Sequence, residues 1–400
     1  MSLSKGRIYR ATPGPSIIPD KVLQAMHRPA PDIYEGEIID ATESVLKDLA
    51  NFAKTSGEVV MYVSNGHGAW EAAIANLFNR GDTVIVLATG QFGLGWADLC
   101  TKMNLNVILL DSGFEKTVDL QILKETLTKD KHQRIKAVLC AQTDTASSIL
   151  NDIKSISEII DQSNHSALLL IDSIACFGCD RLEMDEWGVD LMVTACQKGL
   201  MTPPGLAYCF IGRKALKLAQ NKKCISPYWD WKPRINPKVF YERFYGTAPT
   251  HHIFAQRAAL NIMLEEGREK IFERHRILAT AIWIALKTWN KKKIIGHNIR
   301  EPEYRSCAVT TIRANGYNLD TLRVWLKRNM GLELGIGLGF SERKYLNGKS
   351  ICRLAHMGHI NPVMILGALS SIESGLIACN IPHGSGGASA ANKFIAKNIF

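Results

Sequence analysis

Two residues that could do chemistry follow predicted buried strands. Asp172 comes after the apolar run 167–171, and Lys198 after the run 191–196, where glycine follows it. Acidic side chains are rarely buried without a partner. A lysine at the tip of a buried strand loses hydration, which lowers its pKa and leaves a neutral amine that can attack a carbonyl carbon. Taken singly, each residue fits a structural role equally well, Asp172 as the cap of the next turn.

A third candidate is a glycine-rich turn at the start of a predicted helix. Residues 64–68, with the sequence SNGHG, follow the predicted strand 58–63 and precede the predicted helix 68–78. Glycine lets the backbone approach a ligand closely, and a helix N-terminus offers free N–H groups and a positive dipole. The turn therefore predicts a phosphate site or, equally well, an ordinary helix N-cap.

Together these three features meet the needs of one cofactor. Pyridoxal phosphate requires an anion cradle, a carboxylate that pairs with its ring nitrogen, and a lysine that bonds to its aldehyde carbon. Asp172 precedes Lys198 by 26 residues, with one predicted strand between them. In open α/β sheets, ligands bind at the carboxyl ends of the strands, where both residues are expected.

The elements that must position these residues alternate along the first half of the chain. Strands are predicted over 58–63, 82–88, 106–111, 135–142, 167–175, 191–196 and 205–211, and helices over 68–78, 93–103, 119–128 and 152–162. Strands that are apolar on both faces need helices on both sides. The pattern therefore predicts an α/β fold with a mostly parallel sheet. Residues 226–250 lack such a pattern and are predicted to be an irregular, functional or interfacial segment.

The rest of the chain predicts a smaller α+β region. Helices are predicted over 252–265, 269–289, 319–329 and 362–375, and strands over 306–313 and 350–354. The tail after Pro382 is rich in Gly, Ser and Ala and is expected to be mobile. We therefore divide the chain into an N-terminal arm (1–20), a large cofactor-binding domain (21–266) and a small C-terminal domain (267–400).

Composition excludes several classes of function. The net charge of +10 is concentrated in residues 251–400, which carry +11, but no aromatic residues interleave the short lysine runs, so nucleic-acid binding is not expected. Neither a signal peptide nor a membrane span is visible. The ten scattered cysteines indicate reduced thiols and a cytoplasmic protein. Two isolated residue pairs, Cys176 with Cys179 and His356 with His359, are only weak indications of a metal site, so no metal is expected.

Seven stretches in this order resemble the class V pyridoxal-phosphate-dependent aminotransferases of fold type I, most of all the serine–glyoxylate and alanine–glyoxylate (serine–pyruvate) group. They are Thr12-Pro-Gly-Pro15, Ser64-Asn-Gly-His-Gly-Ala-Trp-Glu71, Gly90-Gln-Phe-Gly93, Gln142-Thr-Asp-Thr-Ala-Ser147, Leu170-Ile-Asp-Ser-Ile-Ala175, Gln197-Lys-Gly-Leu200 with Pro203-Pro-Gly205, and Cys352-Arg-Leu-Ala-His-Met-Gly358. The resemblance covers nearly the whole chain and implies a seven-stranded sheet.

The resemblance also implies roles for individual residues. Lys198 would bond to the cofactor and later move the substrate's α-proton, and Asp172 would keep the ring nitrogen protonated. The expected cofactor contacts are Asn65, Gly66, His67 and Gln197 at the phosphate, Thr145 at the ring hydroxyl or phosphate, and Phe92 and Ile174 on the ring faces. Arg353 would bind the substrate carboxylate, beside Gly14 and Pro15. Tyr245 and Thr247 would reach the phosphate of a neighbouring subunit, which implies a homodimer.

The activity implied is transfer of the amino group of serine or alanine to glyoxylate or pyruvate, with ping-pong kinetics. Related transaminases that use aspartate, aminoethylphosphonate or pyridoxamine are the first alternative. A desulfurase or lyase would need a catalytic cysteine, for which Cys307 and Cys352 are the candidates in the C-terminal region. A basic binding protein with a vestigial site is the third hypothesis, and the presence of Lys198, Asp172 and Arg353 argues against it.

Overall fold

The computed structural model describes residues 3–342 and 347–398, which form two β-sheets covered by helices. The strands are β1 (Tyr9–Ala11), β2 (Glu58–Ser64), β3 (Thr83–Ala88), β4 (Asn106–Asp111), β5 (Ile135–Ala141), β6 (Leu168–Asp172), β7 (Leu191–Ala195), β8 (Gly205–Ile211), β9 (Ile295–His297), β10 (Val309–Ala314), β11 (Leu332–Ile336) and β12 (Ile351–Ala355).

The helices are α1 (Asp20–Met26), α2 (Glu37–Ala53), α3 (Gly66–Leu77), α4 (Gln91–Lys102), α5 (Leu120–Lys129), α6 (Ile153–Gln162), α7 (Arg213–Gln220), α8 (Trp231–Ile235), α9 (Thr250–Glu266), α10 (Arg268–Trp289), α11 (Leu319–Met330), α12 (Pro362–Ala378) and α13 (Gly387–Asn398). The sequence patterns do not predict eight elements, which are short or lie outside the alternating part of the chain: α1, α2, α7, α8, α13, β1, β9 and β11.

The larger sheet has the seven strands that the sequence predicts, in the order β2-β8-β7-β6-β5-β3-β4. Six strands run parallel, and β8 runs antiparallel to both of its neighbours. All residues of β6 and β7 are buried because helices cover both faces of the sheet. The predicted α/β fold with a mostly parallel sheet is confirmed.

Side chains of the larger sheet alternate between two apolar layers. In β3, Ile85 and Leu87 pack into the layer that contains α2, α5 and α6. Val84 and Val86, which point to the opposite face, pack with α3, α4 and α7. This alternation follows from the two-residue period of a strand. Each face of the larger sheet is therefore packed against a single apolar layer, and this packing fixes the position of the carboxyl edge.

The smaller sheet has the order β1-β11-β12-β10-β9. Strand β1 pairs in parallel with β11, and the other neighbours are antiparallel. The N-terminal segment then continues to the larger sheet. Its helix α1 packs against α9, and α9 belongs to one of the apolar layers that cover that sheet. The segment's residues Tyr9–Ala11 belong to the second sheet rather than to a free arm. The domain limits given above stay a prediction.

The C-terminal tail is helical, so the expectation that it is mobile is wrong. Helix α13 packs against α10, with Ala391 and Ile395 buried. The glycine that begins the helix allows this contact, since a Cβ atom at Gly387 would overlap the indole of Trp289. The carboxylate of Glu373 accepts hydrogen bonds from three successive N–H groups at the start of α13. The small residues therefore permit close helix packing.

Some details differ from the sequence-based expectation. The predicted strand 167–175 ends at Asp172, so Ile174 and Ala175 lie in the turn beyond it. The segment 226–250 contains the short helix α8, a 3₁₀ helix (Phe240–Arg243) and the first residue of α9, and the rest of it is irregular. All ten cysteines are free thiols. None of the described helices is both long and apolar enough to cross a bilayer.

Candidate active site

A cavity of about 260 Å³ lies at the carboxyl edge of the larger sheet. Nine predicted site residues line it together: Asn65, Gly66, His67, Phe92, Thr145, Asp172, Ile174, Gln197 and Lys198. They come from five different stretches of the chain that are up to 133 residues apart. The parallel strands bring these stretches together because their carboxyl ends meet at the same edge. Trp70 and Ala175 complete the lining.

Lys198 lies three residues beyond the end of β7, and its amine points toward the N-terminal segment. Nζ donates a hydrogen bond to the carbonyl oxygen of Pro13. Desolvation by burial, with the nearby positive charge of Arg353, lowers the pKa of Lys198 to about 8. A sizeable fraction of the amine is therefore neutral near physiological pH, as nucleophilic attack requires.

The N-terminal segment holds the lysine loop from the other side. The backbone N–H of Ser16 donates to the carbonyl of Gln197, at 2.9 Å, and its hydroxyl donates to the carbonyl of Lys198, at 2.6 Å. Gly14 has a φ of +89°, and a Cβ atom there would lie 2.5 Å from Nζ of Lys198. Glycine is therefore required at position 14 by both conformation and space.

Asp172 is the last residue of β6 and is 4% exposed. Its Oδ1 accepts a hydrogen bond from the N–H of Ile174, at 2.7 Å. Burial raises the pKa of Asp172 to about 7. No salt bridge joins this carboxyl to a cationic side chain within the described residues. A buried carboxyl of this kind is suited to a cationic ligand group that would restore its ionised form.

The turn at the start of α3 forms a helix N-cap. Oδ1 of Asn65 accepts hydrogen bonds from the N–H groups of His67 and Gly68, at 3.1 and 3.4 Å. The expected contacts of this turn with a phosphate stay a prediction. A Cβ atom at Gly66 would overlap the side chain of Ile174, so only glycine lets these two lining residues meet.

Three aromatic rings form one wall of the cavity. The ring centroids of His67 and Trp70 are 4.5 Å apart, and those of His67 and Phe92 are 6.5 Å apart. Trp70 stacks in turn on Trp96, with 5.5 Å between centroids. Partial burial lowers the pKa of His67, which keeps its ring neutral. This apolar wall is suited to a flat aromatic ligand.

Arg353 comes from the middle of β12 in the smaller sheet and is 7% exposed. Nε donates to the carbonyl of Ile336, at 2.7 Å, and Nη1 donates to the carbonyl of Thr145, at 3.0 Å. Burial lowers the pKa of Arg353 to about 10, so the guanidinium stays cationic at neutral pH. Two backbone acceptors thus fix its plane beside the cavity, as bidentate binding of a carboxylate requires.

Two predicted cofactor contacts lie outside the cavity of their own chain. Tyr245 is 55% exposed, and Thr247 is also exposed. The segment that carries them is nevertheless held in place. The guanidinium of Arg234, which is 2% exposed, donates to the carbonyls of Met61 in β2 and of Phe244. Both residues therefore lie on a fixed segment and do not line this chain's cavity. Pro15, predicted to line the substrate pocket, is exposed next to Gly14.

The sequence interpretation assigned no role to two residues that shape the cavity. Trp70 is fully buried, and its indole N–H lies close enough to Asp172 to lower the pKa of that carboxyl, against the larger effect of burial. Asp144 is fully buried and accepts hydrogen bonds from the N–H groups of Phe92 and Gly93. Asp144 follows the buried strand β5, which is the same signal that singled out Asp172. Trp70 gave no signal beyond the helix pattern.

The arrangement of sheet, cavity and strand-end residues is that of a known class of fold. The pyridoxamine–pyruvate aminotransferase of Mesorhizobium loti has a similar structure, with a TM-score of 0.88, 22% sequence identity and full coverage of both chains. This likeness shows the fold, that of the type I pyridoxal-phosphate-dependent transferases.

The sequence comparison identifies the family. The family model described as aminotransferase class-V matches residues 8–358, and the chain belongs to that family. The serine–glyoxylate aminotransferase of Arabidopsis thaliana is 31% identical over 98% of this chain and 96% of its own length. The L-aspartate–glyoxylate aminotransferase of Paracoccus denitrificans is 30% identical over 96% and 95%. The predicted resemblance is therefore confirmed.

Proposed function

We propose that the protein is a pyridoxal-phosphate-dependent aminotransferase that transfers the amino group of serine or alanine to glyoxylate or pyruvate. One observation carries the proposal: Lys198, with its lowered pKa, and the buried Asp172 line one cavity with the N-terminus of α3. The identity with serine–glyoxylate aminotransferases over nearly the whole chain supports the choice of substrates.

The residues of the cavity fit this cofactor. Asp172 is a buried acid without a salt-bridge partner among the described residues, and it matches a protonated ring nitrogen. Phe92 and Ile174 supply apolar surfaces for the two faces of a flat ring. The start of α3 and the side chain of Gln197 are suited to a phosphate because a helix N-terminus favours anions. Lys198 is the amine that bonds to the aldehyde carbon.

When bound, pyridoxal phosphate supplies an aldehyde that exchanges amines and a ring that accepts electrons from the substrate's α-carbon. With the group bound, the amine of Lys198 would act as the base that takes the substrate's α-proton and then as the acid that gives it back. Asp172 would hold the ring nitrogen in its protonated form. The hydrogen bond to Pro13 holds the lysine amine within the cavity. The residues of the chain thus bind the reactants and move a single proton.

Arg353 binds the carboxylate that amino donors and oxo-acid acceptors share. Because both half-reactions use this residue, donor and acceptor occupy the same place in turn, which gives ping-pong kinetics. The choice of serine or alanine as donor rests on the similarity to serine–glyoxylate aminotransferases.

We also propose a homodimer that works in the cytoplasm. Tyr245 and Thr247 are exposed on a segment that Arg234 fixes, so they are available to a second subunit's phosphate site. Ten free thiols suit a reducing compartment. Light scattering of the purified protein tests the mass, and mixing a Lys198→Ala chain with a Thr247→Ala chain tests whether sites form between subunits.

Aspartate is the second candidate donor because of the similarity to an L-aspartate–glyoxylate aminotransferase. A desulfurase activity is disfavoured by the thiols themselves. Burial raises the pKa of Cys352 to about 12 and the pKa of Cys307 well above its usual value, so neither forms a thiolate readily. Pyridoxamine as a donor would leave Arg353 without a carboxylate to bind on the donor side.

A donor screen tests the proposal. The purified protein, loaded with pyridoxal phosphate, is assayed with serine, alanine, aspartate and pyridoxamine against glyoxylate and against pyruvate. Serine or alanine with glyoxylate should give the highest kcat/KM. Lys198→Ala serves as the control for uncatalysed exchange. If another amine works while serine and alanine both fail, the substrate assignment is wrong, and a chain that binds no cofactor contradicts the whole proposal.

A further inference from the structure

A buried carboxylate lies between the two walls of the cavity. Asp144 is fully buried in the loop after β5, and it is no part of the proposed chemistry. Its Oδ2 accepts hydrogen bonds from the N–H groups of Phe92 and Gly93, at 2.8 and 3.0 Å. Its Oδ1 accepts one from the N–H of Ala146, at 3.0 Å. One carboxylate therefore joins two segments that are 52 residues apart.

On the first side, Asp144 acts as the cap that α4 lacks. The N-cap position of α4 is Gly90, which has no side chain to accept the free N–H groups of the first turn. Asp144 supplies that acceptor from the loop after β5, and a negative charge there is favoured by the helix dipole. Phe92 is the second residue of α4, so the contact sets the position of its ring in the cavity wall.

On the second side, Asp144 shapes the loop that orients Arg353. The residue after it, Thr145, lines the cavity and accepts the Nη1 hydrogen bond of Arg353 through its carbonyl. The bond from Ala146 to Asp144 closes the loop around that carbonyl. The negative charge of Asp144 also favours the cationic form of Arg353, against the effect of burial.

The glycine at position 90 is matched to this carboxylate. A Cβ atom at Gly90 would overlap both oxygens and the carboxyl carbon of Asp144. The φ of Gly90 is 173°, an extended conformation that any residue adopts, so space is the reason for glycine here. A side chain at position 90 should therefore displace the carboxyl group of Asp144, so Gly90→Ala tests the position of that group without removing it.

We propose that Asp144 is a positioning residue that couples the ring-stacking Phe92 to the carboxylate-binding Arg353. This inference rests on the proposed function. It predicts that loss of the carboxylate weakens cofactor binding and substrate binding together, because both walls of the cavity depend on the same side chain. Asp144 contacts neither ligand. Its negative charge helps to raise the pKa of the nearby Asp172, so Asp144→Asn favours the ionised form of Asp172, and proton transfer by Lys198 should proceed at nearly its normal rate.

The test uses three variants: Asp144→Asn, Gly90→Ala and Asp190→Asn. The last is a matched control, since Asp190 is a largely buried carboxyl that accepts a backbone hydrogen bond from Leu169 at the opposite edge of the sheet. Three quantities are measured: the dissociation constant of pyridoxal phosphate by equilibrium dialysis of the cofactor-free chain, KM and kcat for the donor that the screen identifies, and the melting temperature of the cofactor-free chain.

Asp144→Asn should raise both the dissociation constant of pyridoxal phosphate and the donor KM by about tenfold, the usual loss for a charge-assisted hydrogen bond. Its kcat should change by less than about threefold. Gly90→Ala should shift both constants in the same direction because it displaces the carboxylate. Asp190→Asn should lower the melting temperature without changing either constant. If Asp144→Asn does not fold, Gly90→Ala decides the question.

A double-mutant cycle with Phe92→Leu tests the path of the effect. If Asp144 acts through Phe92, the two substitutions together should weaken cofactor binding by less than the product of their separate effects. The inference is wrong if the double variant weakens cofactor binding by the full product of the two separate effects. It is also wrong if Asp144→Asn, like Asp190→Asn, lowers the melting temperature and changes neither the dissociation constant nor KM. A wild-type chain that binds no pyridoxal phosphate overturns the proposed function instead, so the two failures are distinguishable.

Discussion

The two sheets contribute to the cavity in different ways. The larger sheet supplies Asp172 and Lys198 from the carboxyl ends of parallel strands. The smaller sheet supplies Arg353 from the middle of an antiparallel strand, where it pairs across with Thr311 and Gly335. In the larger sheet, the strands run in the same direction, which brings the reactive groups at their carboxyl ends to one edge. In the smaller sheet, the neighbours of a mid-strand side chain depend on the strand register and on the face of the sheet from which it projects.

This difference suggests that the two sheets affect different kinetic constants. In the proposed function, the groups from the larger sheet would do chemistry at the cofactor, so their loss should reduce kcat. The arginine from the smaller sheet would hold the carboxylate of donor and acceptor, so its loss should raise KM. Substitutions in one sheet at a time separate the two contributions.

The largest expected effect comes from the larger sheet. Lys198→Ala removes both the amine that bonds to the cofactor and the base that moves the proton, so kcat should fall by at least about 10⁴-fold. After borohydride treatment, mass spectrometry should find the cofactor attached to the wild-type chain but not to the variant. Lys214→Ala, which removes a lysine at the opposite edge of the sheet, is the control. Activity of Lys198→Ala near the wild-type level would show that catalysis does not require Lys198, which contradicts the proposed mechanism.

The second prediction concerns the buried acid of the larger sheet. The pKa of Asp172 is about 7 in the folded, cofactor-free chain, above its usual value of 3.8. A raised pKa favours the folded state at low pH, and this contribution is lost as pH rises toward 7. Relative to Asp172→Asn, the wild type should therefore lose about 2–3 kcal/mol of unfolding free energy between pH 5 and pH 8.

Urea unfolding of both cofactor-free proteins across this pH range measures the difference. Asp98→Asn, which removes an exposed carboxyl paired with Lys102, should show no comparable trend. Adding pyridoxal phosphate should flatten the trend of the wild type, because a protonated ring nitrogen would favour the ionised carboxylate. A trend of opposite sign would mean that the carboxyl already has a cationic partner in the folded chain.

The smallest of the three effects belongs to the smaller sheet. Arg353→Lys keeps the positive charge but loses the planar pair of donors, so KM for both donor and acceptor should rise by about 10–100-fold. The kcat should change by less than about tenfold. Arg323→Lys is matched to it, since Arg323 also donates to a carbonyl of β11, that of Leu334. A loss confined to kcat would contradict the proposed difference between the two sheets.

Much of the site could be predicted because its residues carry local signals. Asp172, Lys198 and the turn at the start of α3 each follow a buried strand. The resemblance to the family, rather than a local signal, predicts Phe92, Thr145, Ile174 and Gln197, and all of these residues line one cavity. The prediction of a mobile C-terminal tail is wrong because its small residues resemble a flexible linker. Their contact with Trp289 depends on α10, which lies about 100 residues away. Composition describes a segment alone and cannot show the surface against which it packs.

Sequence patterns are enough to predict the alternation of strands and helices, the mostly parallel sheet and the order of its reactive residues. These features depend on hydrophobic period and chain direction, which are local properties. The tertiary structure alone decided which distant groups touch. The contact of Asp144 with Phe92 exists because β5 is the neighbour of β3, and that order of strands is not visible in any local pattern. Contacts between neighbouring strands thus complete a site whose reactive groups the sequence already indicates.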